Sequence, residues 1–235
     1  MRDLVDLTVT QIRIFPADTI PLSDLRLSQC IKVVKEAFQF STVQPDFLGV
    51  QLGFTNGAFE NAGKTFNILS LIIDPRRIQI QARAGSPIID AFYSSLMKVL
   101  ESTKQVTMGG IRPLVKAEET TCVATLDIEF EELLAPSLAA FLVGEGKAKL
   151  RAEYGEVKSI AFKSLSFEIK YAPKSAALEE HDVVLMNKLL TIEPRQSTPL
   201  RERRFFTSSP TDSETHLSIL QALEKSIVKT RHKSK

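Results

Sequence analysis

The chain has 235 residues, of which 43% are hydrophobic and 25% are charged, so it can bury a substantial core without disulfides or metals. Two cysteines exclude a disulfide framework. The charge is uneven, because residues 194–235 carry nine Lys and Arg against four acids, whereas residues 1–193 carry 21 bases against 24 acids. A mildly acidic body with a basic tail indicates a partner held partly by electrostatics.

The first part of the chain predicts a strand and then a helix. Apolar and polar residues alternate over 4–15, and the apolar phase changes near Thr10, which predicts a β-bulge at that point. Ser23 or Asp24 can cap a helix that extends to about Phe40, because apolar residues recur there at helical spacing.

Three strands and a second helix follow. A strand over 48–54 leads to Asn56-Gly57, which is the strongest β-hairpin signal in the chain, and 65–73 is the partner strand. Residues 77–84 alternate cleanly between apolar and polar, which predicts a strand with one buried face. A serine–proline pair then starts a helix over 86–102.

A second set of elements occupies the middle of the chain. A strand is predicted over 120–131 and a short helix over 131–143. Further strands are predicted over 147–154 and 157–171. Residues 175–192 fit either a helix or a strand.

The order β-α-β-β-β-α followed by β-α-β-β predicts an α+β fold. We expect a mainly antiparallel sheet with the helices at 23–40 and 86–102 packed on one face. The shared order permits two similar β-α-β-β halves, 1–105 and 106–192. We expect the body of residues 1–192 to fold without the rest of the chain.

The C-terminal region differs in composition from this body. Residues 193–213 are rich in Pro, Ser, Thr and Arg and predict a linker or long loop. Residues 214–235 predict an amphipathic helix followed by a basic tail. An isolated helix of this length is marginal in water, so its apolar stripe needs a partner surface.

This region supplies the candidate partner-binding residues. Arginines beside aromatic residues can bind phosphates and stack on bases, can dock back on the acidic body, or can form a hot spot for another protein. The apolar stripe of the helix adds a second contact. The candidate residues are Arg201, Arg203, Arg204, Phe205, Phe206, Leu217, Leu220, Leu223 and Ile227.

A basic strand face is a candidate anion-binding site. Arg77 and Arg83 accompany Gln79 and Gln81 at alternate positions of the strand over 77–84, and Arg76 lies in the turn before it. Such a face can bind a phosphate backbone while its amides contact bases. The same pattern is also typical of the exposed side of any strand.

An acidic strand face is a candidate for metal chemistry. Asp127, Glu129 and Glu131 alternate on the strand over 120–131, where they could hold Mg²⁺, although a solvated face has the same pattern. The histidines and cysteines have neither metal-ligand spacing nor a nucleophile motif. We therefore predict no bound metal and no cofactor.

These patterns favour a non-catalytic protein-interaction or assembly module that binds a protein partner or a second copy of itself. The alternative is a nucleic-acid-associated protein that uses the basic strand face and tail, and the third is a metal-dependent enzyme with the acidic strand site. Cys30 and Cys122 lie in apolar segments and are predicted to be buried thiols. No stretch resembles a signal peptide or a membrane span, so we predict a cytoplasmic protein that contacts no membrane.

Overall fold

A computed structural model of the chain describes residues 1–17, 19–45, 50–103, 112–134, 163–169, 188–195 and 198–233, together with 144, 148, 149, 151 and 152. The strands within these residues are β1 (Asp3–Ile14), β2 (Thr42–Pro45), β3 (Leu52–Asn61), β4 (Lys64–Ile73), β5 (Arg77–Arg83), β6 (Val115–Thr125), β7 (Leu165–Ile169), β8 (Lys188–Pro194) and β9 (Arg204–Ser209). The helices whose bounds lie within these residues are α1 (Leu22–Leu25), α2 (Ser28–Ala37), α3 (Ser86–Ser102) and α4 (Ser213–Lys233).

These strands form one antiparallel sheet in the order β2-β3-β4-β5-β1-β6-β9-β8-β7. The predicted α+β fold with an antiparallel sheet is confirmed. The first strand of the chain, β1, lies in the middle of this order, with four strands on each side.

The sheet repeats one arrangement of strands on either side of its middle. In the first half β1 pairs with β5, β5 with β4 and β4 with β3, and in the second half β6 pairs with β9, β9 with β8 and β8 with β7. The two first strands, β1 and β6, pair with each other, and the last strand of each half leads into α3 or α4. The second half therefore extends from β6 to α4.

One face of the sheet is covered by helices. Along β5, the side chains of Ile78, Ile80 and Ala82 are buried and the residues between them are partly exposed. Alternate residues of a strand point to opposite faces, so the buried set defines the covered face. The first core packs this face against α1, α2 and α3, and the rings of Phe38 and Phe92 meet within it at a centroid distance of 4.7 Å.

A second, smaller core lies under α4. Leu220 is fully buried in a cluster with Cys122, Ala124 and Phe205, and the ring of Phe205 stacks on that of Phe130 at a centroid distance of 5.5 Å. Residues two apart on β1 belong to the two cores, so α4 covers the same face of the sheet as α3.

The prediction of a linker or loop over 193–213 is wrong for β9. This strand lies between β6 and β8, where Phe205 pairs with Ala124 and Thr207 pairs with Ile192. A short 3-10 turn at Leu200–Glu202 connects it to the end of β8. A chain that ended at residue 192 would therefore lack an interior strand of the sheet.

The hairpin turn between β3 and β4 lies at Ala62-Gly63 rather than at the predicted Asn56-Gly57. Ala62 and Gly63 have φ of 50° and 73°, which suits the left-handed pair of a tight hairpin turn. Asn56 also has a positive φ of 54°, but it lies inside β3. A Cβ on Gly57 would be 2.5 Å from Cε1 of Phe40, so the glycine is explained by close packing.

Other predicted boundaries also differ. The predicted helix over 23–40 divides into α1 and α2, and the strand predicted over 120–131 ends at Thr125. Residues 148, 149, 151 and 152 are helical where a strand was predicted. Most of the predicted helix over 131–143 and residues 175–187 lie outside the described residues.

Candidate interaction site: a polar seam and an open sheet face

Beyond Val9, β1 reverses the polarity of the two faces of the sheet. Gln11 is fully buried on the covered face, whereas Ile12 and Ile14 lie on the other face and are partly exposed. The pairing of this stretch with β5 and β6 has no register shift, and the shift in the β1–β6 pairing falls between residues 4 and 6. The predicted bulge near Thr10 is therefore wrong, because the chemistry of the faces changes while the backbone phase continues.

The polar residues under the helices form a network around Asp90 of α3. Nε2 of Gln11 donates to Oδ1 of Asp90 and to Oε1 of Glu118, each at 2.9 Å. The guanidinium of Arg13 donates to Oδ1 of Asp90 at 2.6 Å, and the ammonium of Lys116 donates to its Oδ2 at 2.8 Å. We call this network, with the buried hydroxyls and histidine described below, the polar seam, because it lies where the two cores meet.

The charges of the polar seam stabilise one another. Partial burial alone would raise the pKa of Asp90, but the hydrogen bonds it accepts, chiefly from Lys116, hold that pKa below its usual value. Burial would lower the pKa of Lys116, but its hydrogen bonds to Asp90 and Glu118 raise that pKa. The carboxylate and the ammonium group therefore both favour their ionised forms.

The polar seam also joins the first turns of α3 and α4. The N–H of Ser86 donates to Oγ of Ser213 and the N–H of Ser213 donates to Oγ of Ser86, both at 2.9 Å. Oγ of Ser86 in turn donates to Oε2 of Glu118 at 2.5 Å. Each helix start thus receives a hydrogen-bond acceptor from the other, which connects the two halves of the molecule.

Farther along the polar seam, His216 is fully buried among hydroxyl groups. Its Nδ1 lies 2.6 Å from Oγ of Ser209, and its Nε2 lies 2.8 Å from Oγ1 of Thr207 and 3.4 Å from Sγ of Cys122. Burial lowers the pKa of His216 to about 4 and raises the pKa of Cys122. A nucleophilic cysteine needs an accessible thiolate, so this closed pair is suited to structure rather than to covalent chemistry.

No described helix covers the other face of the sheet, which we call the open face. The polarity reversal leaves an apolar patch on this open face. Ile12 pairs with Ala117 of β6, and Ile14 pairs with Val115. All four side chains are partly exposed. These four residues form the apolar patch, at the middle of the sheet.

Charged residues flank the apolar patch on opposite sides. Arg77 and Arg83 lie on the open face of β5, and Nε of Arg77 is 2.9 Å from Oδ2 of Asp74. Glu119 lies on the open face of β6, where its Oε1 accepts a hydrogen bond from Ser208 at 3.1 Å. The basic side of the patch therefore lies toward β5 and the acidic side toward β6.

Two of the three acids proposed for a metal, Asp127 and Glu129, are paired with an arginine, and Glu131 is exposed. Arg203 donates to Oδ1 of Asp127 at 2.9 Å and also to Glu129. Arg231 donates to both carboxylate oxygens of Glu132, at 2.8 and 2.6 Å. These contacts agree with docking of the basic tail on the acidic body. The acids follow β6 and do not alternate along it, because the strand ends at Thr125.

The remaining candidate residues divide between core and surface. The apolar stripe of α4 finds its contact within the chain, because its members pack in or against the second core. Phe205 and Leu220 are buried, whereas Leu217, Leu223 and Ile227 are partly buried. Arg204 and Phe206 lie on the open face of β9, and Arg201 is exposed. Nε of Arg76 donates to the carbonyl of Phe15 at 3.3 Å.

Within the described residues, no group of three or more His, Cys, Asp or Glu side chains is placed to hold a metal ion. The helices in the same part of the chain do not combine the length and apolar character that crossing a bilayer requires. No protein-family model matches the sequence, and no curated protein is significantly similar to it. The structure defines an α+β protein with a nine-stranded antiparallel sheet among its described residues.

Proposed function

We propose that this protein is a non-catalytic assembly protein that associates with a second copy of itself through the open face of its sheet. The observation that carries the proposal is the polarity reversal in β1. Two isoleucines face outward at the middle of the sheet, while Gln11 and Arg13 face the helices. Apolar surface concentrated on one exposed face is typical of protein interaction sites.

The position of β1 favours a second copy as the partner. Because four strands lie on each side of β1, a two-fold axis parallel to this strand stacks the whole of one sheet on the other. Ile12 and Ile14 of one copy then lie next to the same residues of the other. Two stacked sheets keep their strands within about 30° of each other, which this arrangement allows.

The charges beside the apolar patch complement each other under the same two-fold axis. The rotation places β5 of one copy over β6 of the other. Arg83 thereby comes within reach of Glu119 of the second copy, and the contact occurs twice by symmetry. Opposite charges at the rim of an interface favour one orientation of the partners.

The open face is large enough for a stable contact. In the spatial order of the sheet, β3 and β8 are the first and last of seven neighbouring strands, which span about 29 Å across the sheet at a spacing of about 4.8 Å. Along the strands, six residues span about 20 Å. This footprint is about 600 Å² in projection. It approaches the ~800 Å² of accessible surface that each partner buries in an interface of standard size.

The molar mass of the full chain in solution tests the proposal. We expect wild-type protein to reach twice the 26.2 kDa of one chain as its concentration rises. The double substitution Ile12→Lys with Ile14→Lys should keep the single-chain mass at all concentrations. Its melting temperature should change little, because both side chains point away from the two cores.

Leu200→Lys is the matched control, because Leu200 is 55% exposed and lies outside the open face. This variant should associate like the wild type. A wild-type chain that keeps the single-chain mass at every concentration, or a double variant that still doubles its mass, would overturn the proposal.

A further inference from the structure

Independently of association through the open face, we propose that β2 and the groove beside α2 bind an extended, acidic peptide segment of another protein by strand addition. Within the described residues, β2 pairs with β3 alone and forms one end of the sheet. The N–H of Ser41 donates to the carbonyl of Asn56 at 3.1 Å, which sets the phase of the ladder. Thr42 and Gln44 therefore direct their backbone N–H and C=O groups away from β3.

An apolar groove lies beside this strand edge. It has a volume of about 740 Å³ and lies between α2 and β2. Ile31, Phe40 and Val43 form its apolar lining; Phe40 is buried, and the other two pack against the first core. A strand added beside β2 would direct alternate side chains into this groove, because Val43 itself points to the covered face.

The rim of the groove is basic. Lys32 and Lys35 of α2 line it together with one acid, Glu36. The Lys32–Glu36 contact is 3.9 Å long and joins side chains that are 73% and 66% exposed, so it holds the lysine weakly. Lys35 makes no salt bridge within the described part of the chain. The rim therefore favours an acidic side chain on the bound segment.

The helix and a bound strand have matching spacings. Lys32 and Lys35 are three residues apart on α2, so their stems lie about 5–6 Å apart, and alternate residues of a strand lie about 6.8 Å apart. Two acidic residues two positions apart on a bound segment can therefore reach both lysines, while an apolar residue on the same side of the segment fills the groove. The backbone of the segment would supply affinity and its alternate side chains specificity.

Selection from a display library of short random peptides tests this site. We expect peptides enriched on the wild-type full chain to carry two Asp or Glu residues two positions apart and an apolar residue on the same side of the strand. The variant Lys32→Glu with Lys35→Glu should bind synthetic copies of these peptides about 2- to 30-fold more weakly, as two exposed ion pairs imply. Proline placed in turn at two neighbouring central positions should abolish binding at the position whose N–H faces β2, since proline lacks the N–H that a ladder requires.

Lys225→Glu with Lys229→Glu is the matched control, because it makes the same charge change on exposed positions of α4. It should bind the peptides like the wild type. Equal enrichment on wild type and the α2 variant, selected peptides that are basic, or binding that tolerates proline at both neighbouring central positions would each overturn the proposal. A wild-type dimer that is lost in the α2 variant and is unaffected by added peptide would show that a second copy occupies the groove. This result would also overturn the proposal.

Discussion

The two faces of the sheet use polar and apolar residues in opposite ways at the middle of the molecule. On the covered face, Gln11 and Arg13 enter a network with Asp90 and do not enlarge either core. On the open face, Ile12 and Ile14 are partly exposed. At the point where the two halves of the molecule meet, the covered face therefore carries polar side chains and the open face carries apolar ones.

Under the proposed self-association, the two faces have separate roles. The covered face holds the two cores and the polar seam, so substitutions there should change the free energy of unfolding. The open face lies outside both cores, so substitutions in the apolar patch should change association instead.

Removing everything after residue 192 should unfold the second half of the sheet. The deletion removes β9, which separates β6 from β8, and it also removes α4, whose Leu220 belongs to the second core. We expect the shortened chain to lose cooperative thermal unfolding, while a chain that ends at Lys233 keeps it. Calorimetry distinguishes the two, and an unchanged cooperative transition after deletion to 192 would contradict the topology.

Leu220→Ala should lower the free energy of unfolding by about 2–5 kcal/mol, because it leaves a cavity under α4 where the side chain is fully buried. The molar mass should not change, since α4 packs within its own chain. Leu200→Ala should cost less than about 0.5 kcal/mol because that side chain is exposed. Denaturant titration measures both, and similar losses in the two variants would show that the second core is not packed as described.

Acidification should destabilise the protein through His216. Its pKa is lowered from 6.5 to about 4 in the folded state, so the unfolded chain takes up a proton first as the pH falls. The stabilisation is complete above pH 6.5 and decreases by about 3 kcal/mol on going to pH 4.

His216→Gln separates this effect from the titration of carboxylates. Glutamine can still reach the neighbouring hydroxyls of Ser209 and Thr207, but it does not titrate. The free energy of unfolding of this variant should therefore fall less steeply between pH 6.5 and pH 4 than that of the wild type. Parallel pH profiles of the two proteins would rule out a buried neutral imidazole.

The smallest expected effect is that of the charges beside the apolar patch. Arg83→Glu should weaken self-association by about 0.2–1 kcal/mol for each of the two symmetric contacts, and adding Glu119→Arg should restore it. Sedimentation measures both dissociation constants. Failure of the second substitution to restore association would exclude the proposed facing of β5 on β6.

The sequence was informative where burial follows apolar alternation. Alternation predicts the buried and exposed sides of β5, and helical spacing predicts α3 and the apolar stripe of α4. It was uninformative at β9, where the buried residues are Phe205, Thr207 and Ser209, because two of these three are polar partners of His216. A polar buried face resembles a loop when it is read from composition alone.

Apolar periodicity fails to predict the polar seam and the apolar patch for the same reason. The phase change in β1 is visible in the sequence, but apolar periodicity predicts a bulge there because it equates buried residues with apolar residues. Gln11 is buried because its amide has carboxylate partners on α3 and β6, which are distant in the chain. Local periodicity cannot supply such partners.

The most direct test of self-association through the open face is a distance between two copies. A nitroxide attached at Glu60→Cys, on the open face of β3, is suitable because Cys30 and Cys122 are buried. β3 lies three strand spacings from β1, so a two-fold axis along β1 separates the two copies of β3 by six spacings of about 4.8 Å across the sheets. With the sheets about 10 Å apart, the two labels should be about 30 Å from each other. Pulsed electron paramagnetic resonance should show this distance in the wild-type background, and the distance should be absent when Ile12→Lys and Ile14→Lys are added. A distance of about 14 Å, as edge pairing through β2 would give, or no interaction between labels at any concentration, would contradict self-association through the open face.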